Sequence, residues 1–193
     1  TDRLFGRITI PEYGSQGCHW LIGRQLPTSP PPRIARSTRY LGLSLARPLL
    51  GYEHALTRLS EDLEAILVVE HALDWLYPLQ WKLPVLPVSC VGPQVSSSQL
   101  ASLLDLMQRA GKLPIVLGRD IDMARRQASV RLQQQLWRRG ARVGVLPLLE
   151  GVSSLGELGQ RPDGRAILEQ ALRTAFAQFP MQASTHHQQQ EGS

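Results

Sequence analysis

The sequence predicts an α/β protein with a mainly parallel sheet and helices on both of its faces. Apolar runs recur along the chain from residue 63: LEAILVV (63–69), PVLPVS (84–89), PIVLG (114–118) and RVGVLPL (142–148). Helix-like segments near 71–81, 96–110, 122–139 and 163–179 alternate with them. Strands that alternate with helices imply right-handed βαβ crossovers and a sheet buried on both faces. In the third helical segment Ala124, Ala128, Leu132 and Leu136 recur at every fourth position, an apolar stripe suited to packing on a sheet.

With 193 residues, 42% hydrophobic and 19% charged, the composition is that of a globular protein with room for one large core and a smaller unit beside it. The expected division is a small N-terminal subdomain over 1–60, the α/β domain over 61–180 and a polar, disordered tail over 181–193. A formal charge of +5 favours polyanionic partners mildly. Cys18 and Cys90 stand far apart, with no cysteine or histidine at zinc-ligand spacing, so no zinc is expected within this chain and the thiols are expected reduced, in the cytoplasm. No stretch approaches the length of a membrane span and no charged-then-apolar leader opens the chain, so no membrane partner is expected. A first residue of Thr1 suggests a fragment or a processed start.

Upstream of the alternating part, GRITIPEYGSQGCHWLIGRQL reads as two short strands around the turn from Gly14 to Gly17, a hairpin. The proline cluster PTSPPPR (27–33) breaks regular structure. The segment 40–62 is ambiguous, with a short helix expected from about Tyr52 to Leu59.

The stretch ILVVEHALDWL (66–76) poses the functional question, because a buried-looking run ends abruptly in Glu70, with Asp74 four residues on. Ligands of open parallel sheets bind beyond the carboxyl ends of the strands, so residues just after each apolar run are the informative ones. Glu70 follows the first run, and Asp120 and Asp122 follow the third in IVLGRDIDMARR. Three carboxylates on one edge repel each other unless a cation lies between them, and hard oxygen donors suit Mg²⁺ or Mn²⁺. The structural alternative is that Glu70 starts a helix and Asp122 caps one.

In their order, VVEHALD, SCVGPQVSSSQL, DIDMARRQA and LPLLEG resemble a Toprim domain. The upstream segments GRITIPEYGSQGCHWLIGRQL and PPRIARST…RPLLGYEHA resemble the part that precedes Toprim in bacterial replicative DNA primases, so the resemblance covers roughly residues 3 to 158. It implies a Rossmann-like Toprim sheet with a small primase-type subdomain before it, and a nucleotidyl-transfer function in RNA primer synthesis for DNA replication. Carried over by position, Glu70, Asp120 and Asp122 become metal ligands and acid/base groups around Mg²⁺ or Mn²⁺. Asp120 and Asp122 would hold the ion against a nucleotide phosphate, and Glu70 would assist proton transfer. Arg7, Arg24 and Arg33 would face phosphates, and Arg119, Arg125 and Arg126 lie near the same site. The implied partners are single-stranded or primed DNA and nucleotides, with a helicase and a zinc-binding module outside these residues.

The departures from the pattern set the expected activity. His71 stands where the family has glycine, Ile121 lies between the two aspartates, Arg125 replaces a glycine, and Leu45 a lysine. Val152, Ser153 and Ser154 occupy the place of the second acidic cluster. One weak metal site and reduced transfer activity are therefore expected. Two other readings stand beside this one: a catalytically inactive nucleic-acid-binding module, and a small Toprim nuclease, which the primase-like N-terminal segment argues against.

Overall fold

The computed structural model describes residues 4, 6–26, 40–43, 45–92, 94–118, 123–147, 152 and 154–179, with the backbone alone for 123–126. The proline cluster at 27–33 and the tail from 181 lie outside these residues, as do Arg33, Arg119, Asp120 and Asp122.

The hairpin forms as expected, from β1 (Arg7–Gly14) and β2 (Gly17–Gln25). Gly17 takes φ 100°, a left-handed conformation that only glycine adopts cheaply at such a turn. A third strand, β3 (Tyr40–Gly42), adds antiparallel to β2 and completes a three-stranded sheet. Next comes α1 (Tyr52–Thr57), close to its expected span. Its Tyr52 hydroxyl donates to Asp105.

All four apolar runs become strands: β4 (Ala65–Val69), β5 (Val85–Ser89), β6 (Ile115–Leu117) and β7 (Val143–Val145). They form one sheet in the order β5-β4-β6-β7, with every pair parallel. Pro87 is accommodated in β5 because that strand lies at the sheet's edge. The helices are α2 (Leu76–Gln80), α3 (Ser97–Arg109), α4 (Met123–Trp137), α5 (Leu155–Leu158) and α6 (Gly164–Phe176). Ser96 and Gln99 close the start of α3 with a capping box, each side chain bonded to the other's backbone amide.

Alternation along the strands sorts the core into two layers. Ile66, Val68, Leu86, Val88, Ile115 and Leu117 point to the face covered by α1, α3 and α4. The α4 stripe reaches this layer through Leu132 and Leu136, both buried. Ala65, Leu67, Val69, Val85 and Val116 point to the other face, where α5 and α6 pack. Ile10, Trp20 and Ile22 belong to this second cluster, so the small sheet shares a core with the large one.

The helix expected over 71–81 is a correction: residues 72–75 form a turn, and only Leu76–Gln80 are helical. Trp75 caps α2 without a side-chain bond and no acid stands in its first turn, so neither Glu70 nor Asp74 is a helix-starting residue. The short elements β3 and α5 were not anticipated.

Candidate functional site

The strand order places the site. From β4 the chain moves outward to β5, then crosses back to β6 on the other side of β4. Such a reversal opens a crevice at the carboxyl ends of the strands involved. Glu70 follows β4 directly, and Gly118 follows β6, its amide donating to the Val68 carbonyl at 2.8 Å. A Cβ at Gly118 would lie 3.1 Å from that carbonyl oxygen, so glycine lets the two strand ends approach closely. Asp120 and Asp122 fall between Gly118 and the start of α4, outside the described residues.

Above this edge lies a cleft of about 710 Å³. Its walls come from the ends of β4, β5 and β6, from α4, and from the small sheet through Trp20, Ile22 and Tyr40. Glu70 is half-buried and lines the cleft together with His71.

His71 fills space that a glycine would leave empty. Its Nδ1 lies 3.2 Å from Oδ2 of Asp74, which is buried, and the Asp74 amide donates to the His71 carbonyl at 3.0 Å. The imidazole stacks on Tyr40 with ring centroids 6.0 Å apart and planes 24° apart. Arg24 lies over the Tyr40 ring at 5.7 Å, and its Nη1 donates to the Tyr40 hydroxyl at 3.4 Å. Arg24, Tyr40, His71 and Asp74 thus form a series that joins the small sheet to the turn after β4. Asp74, which the sequence left without a role, belongs to this series.

The remaining basic residues differ in placement. Arg7 is buried, and its Nη1 donates to the Gly23 carbonyl at 3.3 Å, joining β1 to β2. Arg125 and Arg126 fall in the first turns of α4, where only the backbone is described. Arg47, absent from the expected site, is exposed and lines the cleft. It stands in RPLLGYEHA, part of the resemblance, but a single arginine before a proline carries no pattern of its own.

Two further groups limit the chemistry. Burial pushes the Cys90 thiol up to about 12, so the cleft holds no reactive thiolate at this position. Val152 is a core residue, and Ser154 lies beside Glu70, His71, Asp74 and Gly118 in a small pocket. Among the described residues no three histidine, cysteine, aspartate or glutamate side chains are grouped so as to hold a metal ion. No helix among them is long and apolar enough to cross a membrane.

No family model matches the chain, and no curated protein sequence is similar to it at a significant level. Solved structures do match. The zinc-binding and RNA polymerase domains of the Aquifex aeolicus primase align over 91% of this chain and 41% of their own, with a TM-score of 0.65 and 20% identity. The RNA polymerase domain of Mycobacterium tuberculosis primase DnaG, in complex with a double-stranded DNA oligomer with a 6-nucleotide overhang, aligns over 86% of this chain and 52% of its own, with a TM-score of 0.65 and 19% identity. The same domain without DNA aligns over 90% and 60%, with a TM-score of 0.60 and 18% identity. The chain therefore spans 41% to 60% of the length of these proteins. The α/β fold read from the sequence, with its parallel sheet flanked by helices, is the fold this chain shares with the RNA polymerase domains of bacterial primases.

Proposed function

We propose that this chain is a primase-like Toprim core that binds single-stranded or primed DNA and one divalent metal ion, with weak or absent nucleotidyl transfer. The observation that carries the reading is the position of Glu70 at the end of the central strand β4, beside the end of β6, on the cleft between the two sheets. The M. tuberculosis domain that aligns with this chain is itself held on DNA, which supports the same partner here.

The metal would be held by Glu70 with Asp120 and Asp122. Among the described residues Glu70 stands as a hard oxygen donor at the strand ends, while Asp74 is engaged by His71. The donor set therefore fits a hard cation only when the two aspartates join it. A bound Mg²⁺ or Mn²⁺ would act there as a Lewis acid toward phosphate oxygens. This chain's own residues line the cleft above the strand ends and supply positive charge for a strand or nucleotide. Reduced transfer is supported by Val152 and Ser154, a core side chain and a neutral hydroxyl where the resemblance expects the second acidic cluster.

Calorimetry with Mn²⁺ on the parent and on an Asp120→Ala, Asp122→Ala double variant tests the reading, together with a salt series of oligonucleotide binding and a primer-synthesis assay. The expected result is one weak metal site lost in the double variant, strand affinity that falls steeply with salt, and little primer product. Equal metal binding by both proteins overturns the site. No strand binding even at low ionic strength removes nucleic acid as the partner, and robust primer synthesis overturns the reduced activity.

A further inference from the structure

We propose that Trp137, Arg138, Arg139 and Arg142, with Lys112 beside them, form a second surface for a single nucleic-acid strand, at the amino ends of β6 and β7 and outside the cleft. The proposal rests on the nucleic-acid reading above and extends the strand's path along α4.

Two loops of the same build bring these residues together. At the end of α3 the Lys112 amide donates to the Met107 carbonyl at 2.8 Å, and at the end of α4 the Ala141 amide donates to the Leu136 carbonyl at 3.1 Å, so the two helices close alike. Gly111 and Gly140 supply the left-handed residue of each closure, with φ 66° and 77°. The chain then enters its strand on both sides, where Ile115 pairs with Val143 and the Ile115 amide donates to the Arg142 carbonyl at 2.8 Å. Arg142 Nη2 donates to the Lys112 carbonyl at 3.4 Å, so the two loops lie side by side. The backbone that carries the cations is ordered before any ligand arrives, and binding loses less conformational entropy.

The charge on this face is unbalanced. Lys112, Arg138 and Arg139 are exposed and Arg142 is half-buried, and among the described residues no acid pairs with any of them. Arg58, Arg109, Arg161 and Arg165, in contrast, each meet a carboxylate at 2.7 or 2.8 Å. Cations favour a helix C-terminus, and Arg139 donates to the Gln135 carbonyl of its own last turn at 2.9 Å. That role needs no aromatic neighbour, yet Trp137 stands 53% exposed next to Arg138, while Trp20 and Trp75 are buried and Trp81 is half-buried. Its neighbours one turn back along α4 are Gln133 and Gln134, so no apolar core for a protein interface surrounds it. Unpaired cations around an exposed ring are what a single strand requires, phosphates meeting the charges and a base stacking on the indole. The helix also links this face to the cleft. Ala128, Ser129 and Leu132 line the cleft, exposed Arg131 stands among them, and Trp137 lies about 8 Å beyond Leu132 along the axis.

The test measures binding of a fluorescent oligothymidylate of about 20 nucleotides, over a salt series, to the parent and to three variants. These are Trp137→Ala, a triple variant Arg138→Gln, Arg139→Gln, Arg142→Gln, and a control triple variant Arg161→Gln, Arg165→Gln, Arg173→Gln, which removes equal charge at α6. The first triple variant is expected to lose at least about tenfold in affinity, with a salt slope shallower by about two, as three lost single-strand phosphate contacts require. Trp137→Ala should lose about fivefold or more with the salt slope unchanged, as a lost stacking contact requires. The control should bind within about twofold of the parent, since its charges lie on another face and are screened. Strand addition should quench the parent's tryptophan fluorescence, and Trp137→Phe should remove that quench. Urea unfolding curves of the variants should match the parent's. Equal losses in the two triple variants would reduce the effect to diffuse charge and overturn the surface. Unchanged binding by Trp137→Ala and by the first triple variant, with a parent that binds, overturns it too and leaves the nucleic-acid reading in place. A polyglutamate of equal charge that displaces the strand and reproduces the quench assigns the face to an acidic protein instead. A parent that binds no strand even at low ionic strength overturns both readings.

Discussion

Glu12 offers a direct test of how the small sheet is joined to the rest of the molecule. It follows Ile10 by two positions in β1 and so points to the same inward face, where it is 3% exposed. Its Oε2 accepts from the Gly51 amide at 2.7 Å and its Oε1 from the Glu53 amide at 3.3 Å, so a strand side chain serves the start of α1. Hydrogen bonds to a charged acceptor contribute about 1.5 to 3 kcal/mol, and the longer of these two lies at the weak end. Glu12→Ala leaves the buried Gly51 amide without an acceptor and should cost about 2 to 3 kcal/mol. At about 2 to 4 °C per kcal/mol for a chain of this size, the melting temperature should fall by about 4 to 12 °C. Glu12→Gln keeps one acceptor oxygen and should cost less than about 1 kcal/mol at neutral pH.

The same residue gives a pH dependence with a defined sign. Burial raises the Glu12 carboxyl above its ordinary value of 4.5, against the opposing pull of the two amides and of the His19 charge, while the Glu53 charge adds to the rise. The folded state therefore holds the proton more tightly than the unfolded one. The resulting stabilisation is complete below about pH 4.5 and is lost as pH rises through the higher folded value. Glu61, Asp105 and Asp163 act in the opposite sense. The Arg58 hydrogen bond lowers the first, those of Tyr52 and then Arg109 the second, and that of Arg161 the third. Parent and variant share these groups, so the difference between parent and Glu12→Gln in urea unfolding isolates Glu12 and should grow in the parent's favour as pH falls from neutral toward 4.5. Parallel pH profiles, or a Glu12→Ala protein as stable as the parent, would refute the reasoning.

Two other substitutions follow from the geometry. His71→Gly, which installs the residue the resemblance expects, removes the 3.2 Å contact to buried Asp74 and the stack on Tyr40. It should cost about 1 to 3 kcal/mol in urea unfolding, with recovery when Asp74→Asn is added; an unchanged midpoint would show that the series from Arg24 to Asp74 does not brace the cleft. Gly164→Ala places a Cβ 1.8 Å from the Leu158 carbonyl oxygen, so α5 and α6 must separate. A loss of about 1 to 3 kcal/mol is expected by thermal melting, and a melting temperature equal to the parent's would show that the backbone yields freely.

The parallel sheet was legible because its strands are buried on both faces. AILVV in β4 and VLPVS in β5 carry no exposed position, so their apolar runs stand out against the polar residues around them. The helix expected near 96–110 starts where expected, and the structure adds the reason, a capping box of Ser96 and Gln99. The short elements were not legible, for a physical reason. β3 is three half-buried residues, and α5 is four, too few to show any period. Over 71–81 the apolar residues Ala72, Leu73, Trp75, Leu76 and Leu79 satisfy a turn followed by a short helix as well as one long helix, and the turn bonds from the Asp74 amide to the His71 carbonyl and from the Leu76 amide to the Leu73 carbonyl distinguish the two.

The strand-end rule put Glu70 at the end of β4, where the structure has it, because the rule depends only on where an apolar run stops. Arginines obey no such rule. Arg7 opens β1 and looks like a surface cation, yet the close passage of β1 against Gly23 buries it. Arg47 lacks any periodic context, and its position becomes meaningful only when the loop carrying Gly92 comes beneath it, a contact between residues 45 positions apart. His71 shows the same limit from the other side. Read along the chain it is a lost glycine and a sign of decay. In the fold its ring is held by Asp74 from its own turn and by Tyr40 from the small sheet, and Tyr40 in turn carries Arg24. A side chain tolerated only because a turn had become slack would not need partners on two elements. His71 and Arg47 both line the cleft, and their places there depend on distances that no spacing in the sequence encodes.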